Sequence, residues 1–157
     1  MVVFICSVLV ACSLMTYRRN QVWKDPMTLW NDVVRLSPNK ARPFNNRGTA
    51  YKELDQYELA IQDYNRAIFL KPDYADAYFN RANAHQFLRH WNEAIRDYQK
   101  ALEFQPGSGK AYNNLAVTYF FKHDLENSRY FSKKALGTGY EVKKEFLSEL
   151  EKASGGR

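Results

Sequence analysis

The chain has 157 residues, a net charge of +6, ten Phe, eleven Tyr and three Trp, but only seven Gly and five Pro. That length allows one domain with an appendage, and long stretches without breakers favour helix. Both cysteines, Cys6 and Cys12, lie near the N-terminus, which excludes a disulfide framework for the remainder of the chain.

The first predicted element is apolar. Residues 1–17, "MVVFICSVLVACSLMTY", hold no charged side chain, and Arg18 and Arg19 follow directly. As a helix, a segment of this length rises about 26 Å, just short of the ~30 Å hydrocarbon core of a bilayer. A membrane span is the leading reading. A lipoprotein signal is the second, because Leu9-Val10-Ala11-Cys12 resembles the bacterial lipobox. An ordinary secretory signal is the third; both signals would want a basic n-region, which is missing. A buried core helix is the fourth, and nothing elsewhere in the sequence asks for such a partner.

Between Arg18 and Arg47 seven basic residues face Asp25 and Asp32, so this stretch carries +5 of the +6. Anionic lipid headgroups at Arg18 and Arg19 are the expected counter-charge, and a solvated basic segment accounts for the excess equally well. Nucleic acid is not expected as a partner, because its binders repeat basic residues along a face. Basic residues after a span argue for a cytoplasmic C-terminal side. The lipobox argues for the exterior, and the expectation is a membrane location with a periplasmic/extracytoplasmic folded part.

Residues 18–40 read as a connector and a lone helix. Trp23 suits a membrane interface. In "DPMTLWNDVVRLSP", Asp25 is a candidate N-cap and Pro26 a first helical residue.

From Ala41 onward the chain repeats itself every 34 residues. Phe44, Gly48, Tyr51, Ala60, Tyr64, Ala67 and Pro72 return as Tyr78, Ala82, His85, Ala94, Tyr98, Ala101 and Pro106. They return again as Tyr112, Ala116, Tyr119, Ser128, Ser132 and Ala135, with Tyr140 in place of proline. Large and small residues alternate at fixed slots, as close-packed helix pairs require, and the prolines close each second helix. The spacing predicts first helices over 42–54, 76–88 and 110–122, and second helices over 57–70, 91–104 and 125–136. Ser128 and Ser132 are expected to weaken the last of these. "EVKKEFLSELEK" then sets Val142, Phe146, Leu147 and Leu150 on one helical face, as a capping helix would.

This pattern resembles the tetratricopeptide repeat (TPR) family over residues 41–142. The resemblance implies an all-α, right-handed solenoid. Its units would be TPR 1 (41–74), TPR 2 (75–108), TPR 3 (109–142) and a capping helix with tail (143–157). Counting back one period, Trp30, Val33 and Pro38 fall on the Tyr64, Ala67 and Pro72 slots, so the lone helix is a half-repeat. An apolar span, an Arg-Asn pair, a Trp-rich half-repeat and then full repeats also resemble the TPR tails of bacterial multi-spanning membrane proteins.

Nothing in the sequence is arranged for catalysis, and no cofactor is implied. His85, His90 and His123 are not at i, i+4 and have no cysteine beside them, so no metal site is expected. A binding surface is left. First helices line the concave side of such a solenoid. Helical spacing puts Asn46, Asn80 and Asn114 there, one per repeat, together with Asn83, Lys110 and Asn113. An asparagine side chain offers a donor and an acceptor, so the run can bond the backbone of an extended peptide. Alternatively, the asparagines bond neighbouring repeats. Under the binding reading, replacing Asn80 and Asn114 should weaken a peptide while leaving stability nearly unchanged. Phe79, Phe87, Phe120 and Phe121 suggest apolar pockets alongside. The family's carboxylate clamp expects Lys, Asn, Asn, Lys and Arg where this chain has Asn45, Thr49, Asn80, Lys110 and Asn114, so that mode fits poorly. The sequence therefore predicts a membrane-tethered protein–protein interaction scaffold. The rival is the non-catalytic tail of a larger membrane-embedded transferase.

One further pair is visible. Arg47 and Arg81 share a slot, as do Asp63 and Asp97, and in the third unit the two slots hold Leu115 and Phe131. An Arg–Asp bridge between the helices of a unit is the expectation; independent surface charges are the alternative.

Overall fold

The computed structural model describes residues 12–17 and 26–155, and all their regular structure is helical. Residues 12–17 are helical (α1) and exposed. The solenoid follows as α2 (Pro26–Leu36), α3 (Ala41–Glu53), α4 (Tyr57–Leu70), α5 (Ala75–Phe87), α6 (Trp91–Phe104), α7 (Gly109–Phe121), α8 (Leu125–Gly137) and α9 (Lys144–Gly155). From α3 to α8, every end lies within one residue of the position the spacing predicts.

Most of the apolar N-terminal segment (1–11), and the connector with Arg18, Arg19, Trp23 and Asp25, lie outside the described residues. Among the described residues no helix is long and apolar enough to cross a membrane.

Each odd helix from α3 to α7 packs on the even helix that follows it, and each even helix packs on the next odd one. The odd helices α3, α5 and α7 also touch in series, while α2 covers α3 and α9 covers α8. The small slots explain how closely the pairs approach. A Cβ on Gly48 would lie 2.7 Å from Tyr64 Cε1, so α3 and α4 meet where only a hydrogen fits. Ala60, Tyr64 and Ala67 are fully buried on α4, as are Ala94 and Tyr98 on α6.

The turn inside each unit needs a left-handed residue. Asp55, Arg89 and His123 have φ of 57°, 58° and 61°. This lets the N–H of Gln56, His90 and Asp124 reach back to the carbonyls of Tyr51, His85 and Tyr119. A side-chain-bearing residue gives up roughly 1–2 kcal/mol there. With no glycine at these positions, the sequence carried no sign of the conformation.

The third unit corrects one expectation. α8 is a full helix despite its serines. Ser128 Oγ donates to the Ala116 carbonyl at 2.9 Å and Ser132 Oγ to the Ser128 carbonyl at 2.8 Å, both buried. The hydroxyls find acceptors at once, and their small volume serves the slots that alanine and tyrosine fill elsewhere. The cap is also adjusted: Val142 is buried but precedes α9, while Leu150 is buried within it.

The Arg–Asp pairs are present. Arg47 Nε and Nη2 each donate to Asp63 at 2.7 Å, and Arg81 does the same to Asp97 at 2.7 and 2.6 Å. The aspartates are only 8% exposed, which rules out independent surface charges. Each guanidinium also donates through Nη1 to an asparagine of the preceding even helix, Asn31 or Asn65. One arginine thus ties three helices together. In the third unit Leu115 is fully buried in the apolar cluster against which Phe131 packs.

Candidate functional site

The concave face is built by α3, α5 and α7. Its polar compartment is a groove of about 480 Å³ lined by Asn45, Asn46, Asn80, Phe79, Arg42, Asp76 and Lys110, among others. Three of the sequence-predicted residues, Asn46, Asn80 and Lys110, come together there. Asn83, Asn113 and Asn114 do not line it.

The asparagines serve two purposes. Asn80 Nδ2 donates to Asn45 Oδ1 at 3.0 Å, bracing α5 to α3. Asn114 Nδ2 donates to Asn83 Oδ1 at 2.9 Å, bracing α7 to α5. The same Asn83 oxygen accepts from the buried Tyr98 hydroxyl at 2.7 Å. The expectation that replacing Asn80 and Asn114 leaves stability nearly unchanged is therefore corrected: each replacement removes a bond between repeats, worth about 1 kcal/mol. The helical spacing gave the face correctly but could not say which neighbour each amide meets.

Among the described residues no odd helix packs on α3 ahead of it to offer Asn46 a partner. Its Oδ1 only meets Asn45 Nδ2, at a long 3.5 Å. Asn113 Nδ2 similarly approaches Asn114 Oδ1 at 3.4 Å. The groove therefore receives an amide N–H from Asn46 and a carbonyl from Asn80 that have no partner among the described residues. Asn45, 6% exposed, fixes the Asn80 rotamer from behind. From the sequence Asn45 stands only at a clamp slot where lysine is expected, with no bracing role.

Around these amides the charges alternate, Arg42, Asp76, Lys110, one from each odd helix. Lys110 Nζ sits over the Phe79 ring at 5.2 Å, and Phe79 in turn meets Tyr98 at 5.8 Å. Phe79 is thus half-buried structure as much as groove wall. Burial pushes the Tyr64 hydroxyl up to about 12 and raises Tyr98 as well, so both stay neutral anchors. His85 occupies the slot of Tyr51 and Tyr119; burial holds it below the usual imidazole range, with Asp97 opposing. Its Nε2 lies 4.0 Å from Asp97, and its Nδ1 is buried without a partner. This is a packed side chain, as its slot implies. Among the described residues no group of His, Cys, Asp and Glu could hold a metal ion.

Three repeat-family models match the chain: a TPR repeat over residues 48–87, a tetratricopeptide repeat over 75–108, and another over 97–132. No curated protein matches it. Among solved structures, a crystal structure of MamA protein is 27% identical with a TM-score of 0.69, covering 79% of this chain and 68% of MamA. The first TPR of Spaghetti (RPAP3), bound to the HSP90 peptide SRMEEVD, is 25% identical with a TM-score of 0.68, covering 74% of this chain and 91% of that one. The Arabidopsis OM64 TPR domain, at 24% identity and TM-score 0.68, shares the fold. With the 34-residue slots, the helix pairs and these matches in agreement, the chain belongs to the tetratricopeptide repeat family.

Proposed function

We propose that this protein is a protein–protein interaction scaffold whose concave groove holds an extended peptide segment by its backbone. The observation that carries this reading is the pair of unpartnered amide groups, the Asn46 N–H and the Asn80 carbonyl, set in one groove between charged side chains. One would donate to a peptide C=O and the other accept from a peptide N–H, without reading side chains. The Spaghetti TPR bound to an HSP90 peptide supports a peptide as the ligand class. Of the clamp residues that an acidic C-terminal tail requires, only Asn80 and Lys110 have counterparts, and Lys110 is engaged with Phe79. The ligand is therefore a segment held internally along its backbone. In this reading Asn83 and Asn114 brace α5 to α7, and Asn113 approaches Asn114.

The division of labour follows. Residues 1–17 tether the protein to a membrane, and residues 18–40 link and begin the stack. The three units at 41–74, 75–108 and 109–142 carry the groove, and residues 143–157 close it. Support for the tether is the charge-free sequence of residues 1–17 followed by Arg18 and Arg19. The full chain should float with zwitterionic phosphatidylcholine vesicles and a chain starting at Arg18 should not; equal flotation of both would remove the tether.

The groove is tested with a peptide selected from a random display library against the full chain. Asn46→Ala should weaken it about tenfold, or 1.4 kcal/mol, with the melting temperature unchanged, because Asn46 braces no neighbouring helix. Asn80→Ala should weaken it as much and also lower stability by about 1 kcal/mol. Unchanged affinity in Asn46→Ala would dismiss the backbone-binding role.

A further inference from the structure

A second compartment, a groove of about 840 Å³, lies where the C-terminal ends of α5 and α7 meet the starts of α6 and α8, with Ala153 of α9 on its wall. Its walls include Phe87 and Phe121, which are 64% and 54% exposed. Each ring is held by a stack from the preceding unit. Tyr57 lies 5.0 Å from Phe87 at 13°, and Trp91 lies 5.6 Å from Phe121 at 10°. The repeat thus builds the same aromatic shelf twice, one period apart. Stacking fixes each ring in place, so little side-chain entropy is left to lose on binding.

The charged and titratable groups on the wall are Arg89 and His123, and no carboxylate lines it. Both are the left-handed turn residues of their units. Glycine would adopt that conformation without a steric cost. The chain instead carries a guanidinium and an imidazole there, beside the shelves.

We propose that this compartment binds an aromatic side chain of a peptide ligand that has a carboxylate next to it. The ring lies against the Phe87 and Phe121 shelves, and the carboxylate pairs with Arg89. The charge of the wall selects an acidic neighbour over a basic one. The compartment is lined from α5 to α9, and α5 and α7 also line the asparagine groove, so an extended chain lying along these two helices reaches both. The inference rests on the reading above only in taking the ligand to be a peptide.

The test uses the full chain and three fluorescein-labelled peptides read by anisotropy: Gly-Ser-Phe-Asp-Ser-Gly, the same peptide with Lys for Asp, and the same with Ala for Phe. The Phe-Asp peptide should bind about tenfold more tightly than either relative. Phe121→Ala and Arg89→Ala should each lose about that factor, and Arg89→Ala should also flatten the salt dependence. Asn80→Ala should leave this short peptide's affinity unchanged, which separates failure of this proposal from failure of the asparagine groove. Phe87→Ala serves as the second shelf variant if Phe121→Ala loses helicity by circular dichroism. Equal binding of the Lys peptide, insensitivity to the shelf variants, or no binding by any of the three would overturn the proposal. So would a concentration-dependent dimer that Phe121→Ala dissolves, since that would assign the shelves to a second copy of the chain.

Discussion

Arg81→Leu should destabilise the protein by about 3 kcal/mol, the lower end of what breaking a buried ion pair costs. The loss comes less from the missing attraction than from Asp97, which is 8% exposed and would keep a charge without its bidentate partner. His85 is the nearest substitute, at 4.0 Å, but burial disfavours its charged form. The third repeat shows the alternative: Leu115 and Phe131 occupy the same two slots, and Phe131 stacks on Tyr119 with centroids 5.5 Å apart. The double variant Arg81→Leu/Asp97→Phe should therefore recover stability to within about 1 kcal/mol of the parent, because a packed apolar pair often matches a buried ionic one. Urea unfolding of the singles and the double measures this. A single-variant loss below about 1 kcal/mol would mean that the bidentate geometry contributes no more than a surface pair.

Gly109→Ala should cost about 1–3 kcal/mol, the usual range for overpacking a fitted site. The parallel slots in the first two units are alanines, Ala41 and Ala75, which coexist with Pro72 and Pro106. In the third unit the proline slot is Tyr140, and a Cβ on Gly109 would run into Tyr140 Cβ and Thr138 Oγ1. Gly109 is buried and begins α7, so the connection to α9 has nowhere to retreat without releasing the cap. The missing alanine and the missing proline are thus one change made at two places. Thermal unfolding checks it; a neutral or stabilising Gly109→Ala would mean that the 138–140 turn adjusts freely.

How far the sequence could be read depended on whether a feature repeats. Helix ends were legible because the same breakers and small residues recur each period. The Arg–Asp bridges were legible because two slots changed together in the third unit. The second hydrogen bond of each arginine, to Asn31 or Asn65, was not, since it crosses to a helix of another unit. The asparagine run shows the same limit: its face followed from helical spacing, but its pairing depends on rotamers set by Asn45 and Asn83. The serines of α8 misled because their helix propensity is modest, whereas here buried carbonyls receive their hydroxyls. The left-handed turns left no trace because Asp55, Arg89 and His123 stand where glycine would have announced them.

An extended peptide lying along the concave face would bond to Asn46 and Asn80. Side-chain amide resonances report this directly. In a ¹⁵N–¹H correlation spectrum of the protein titrated with a display-selected peptide, the Asn46 and Asn80 NH₂ pairs should move, while those of Asn31 and Asn65 should stay in place. Shifts confined to the α4 and α6 side of the stack, with Asn46 and Asn80 unmoved at saturation, would mean that the peptide binds elsewhere.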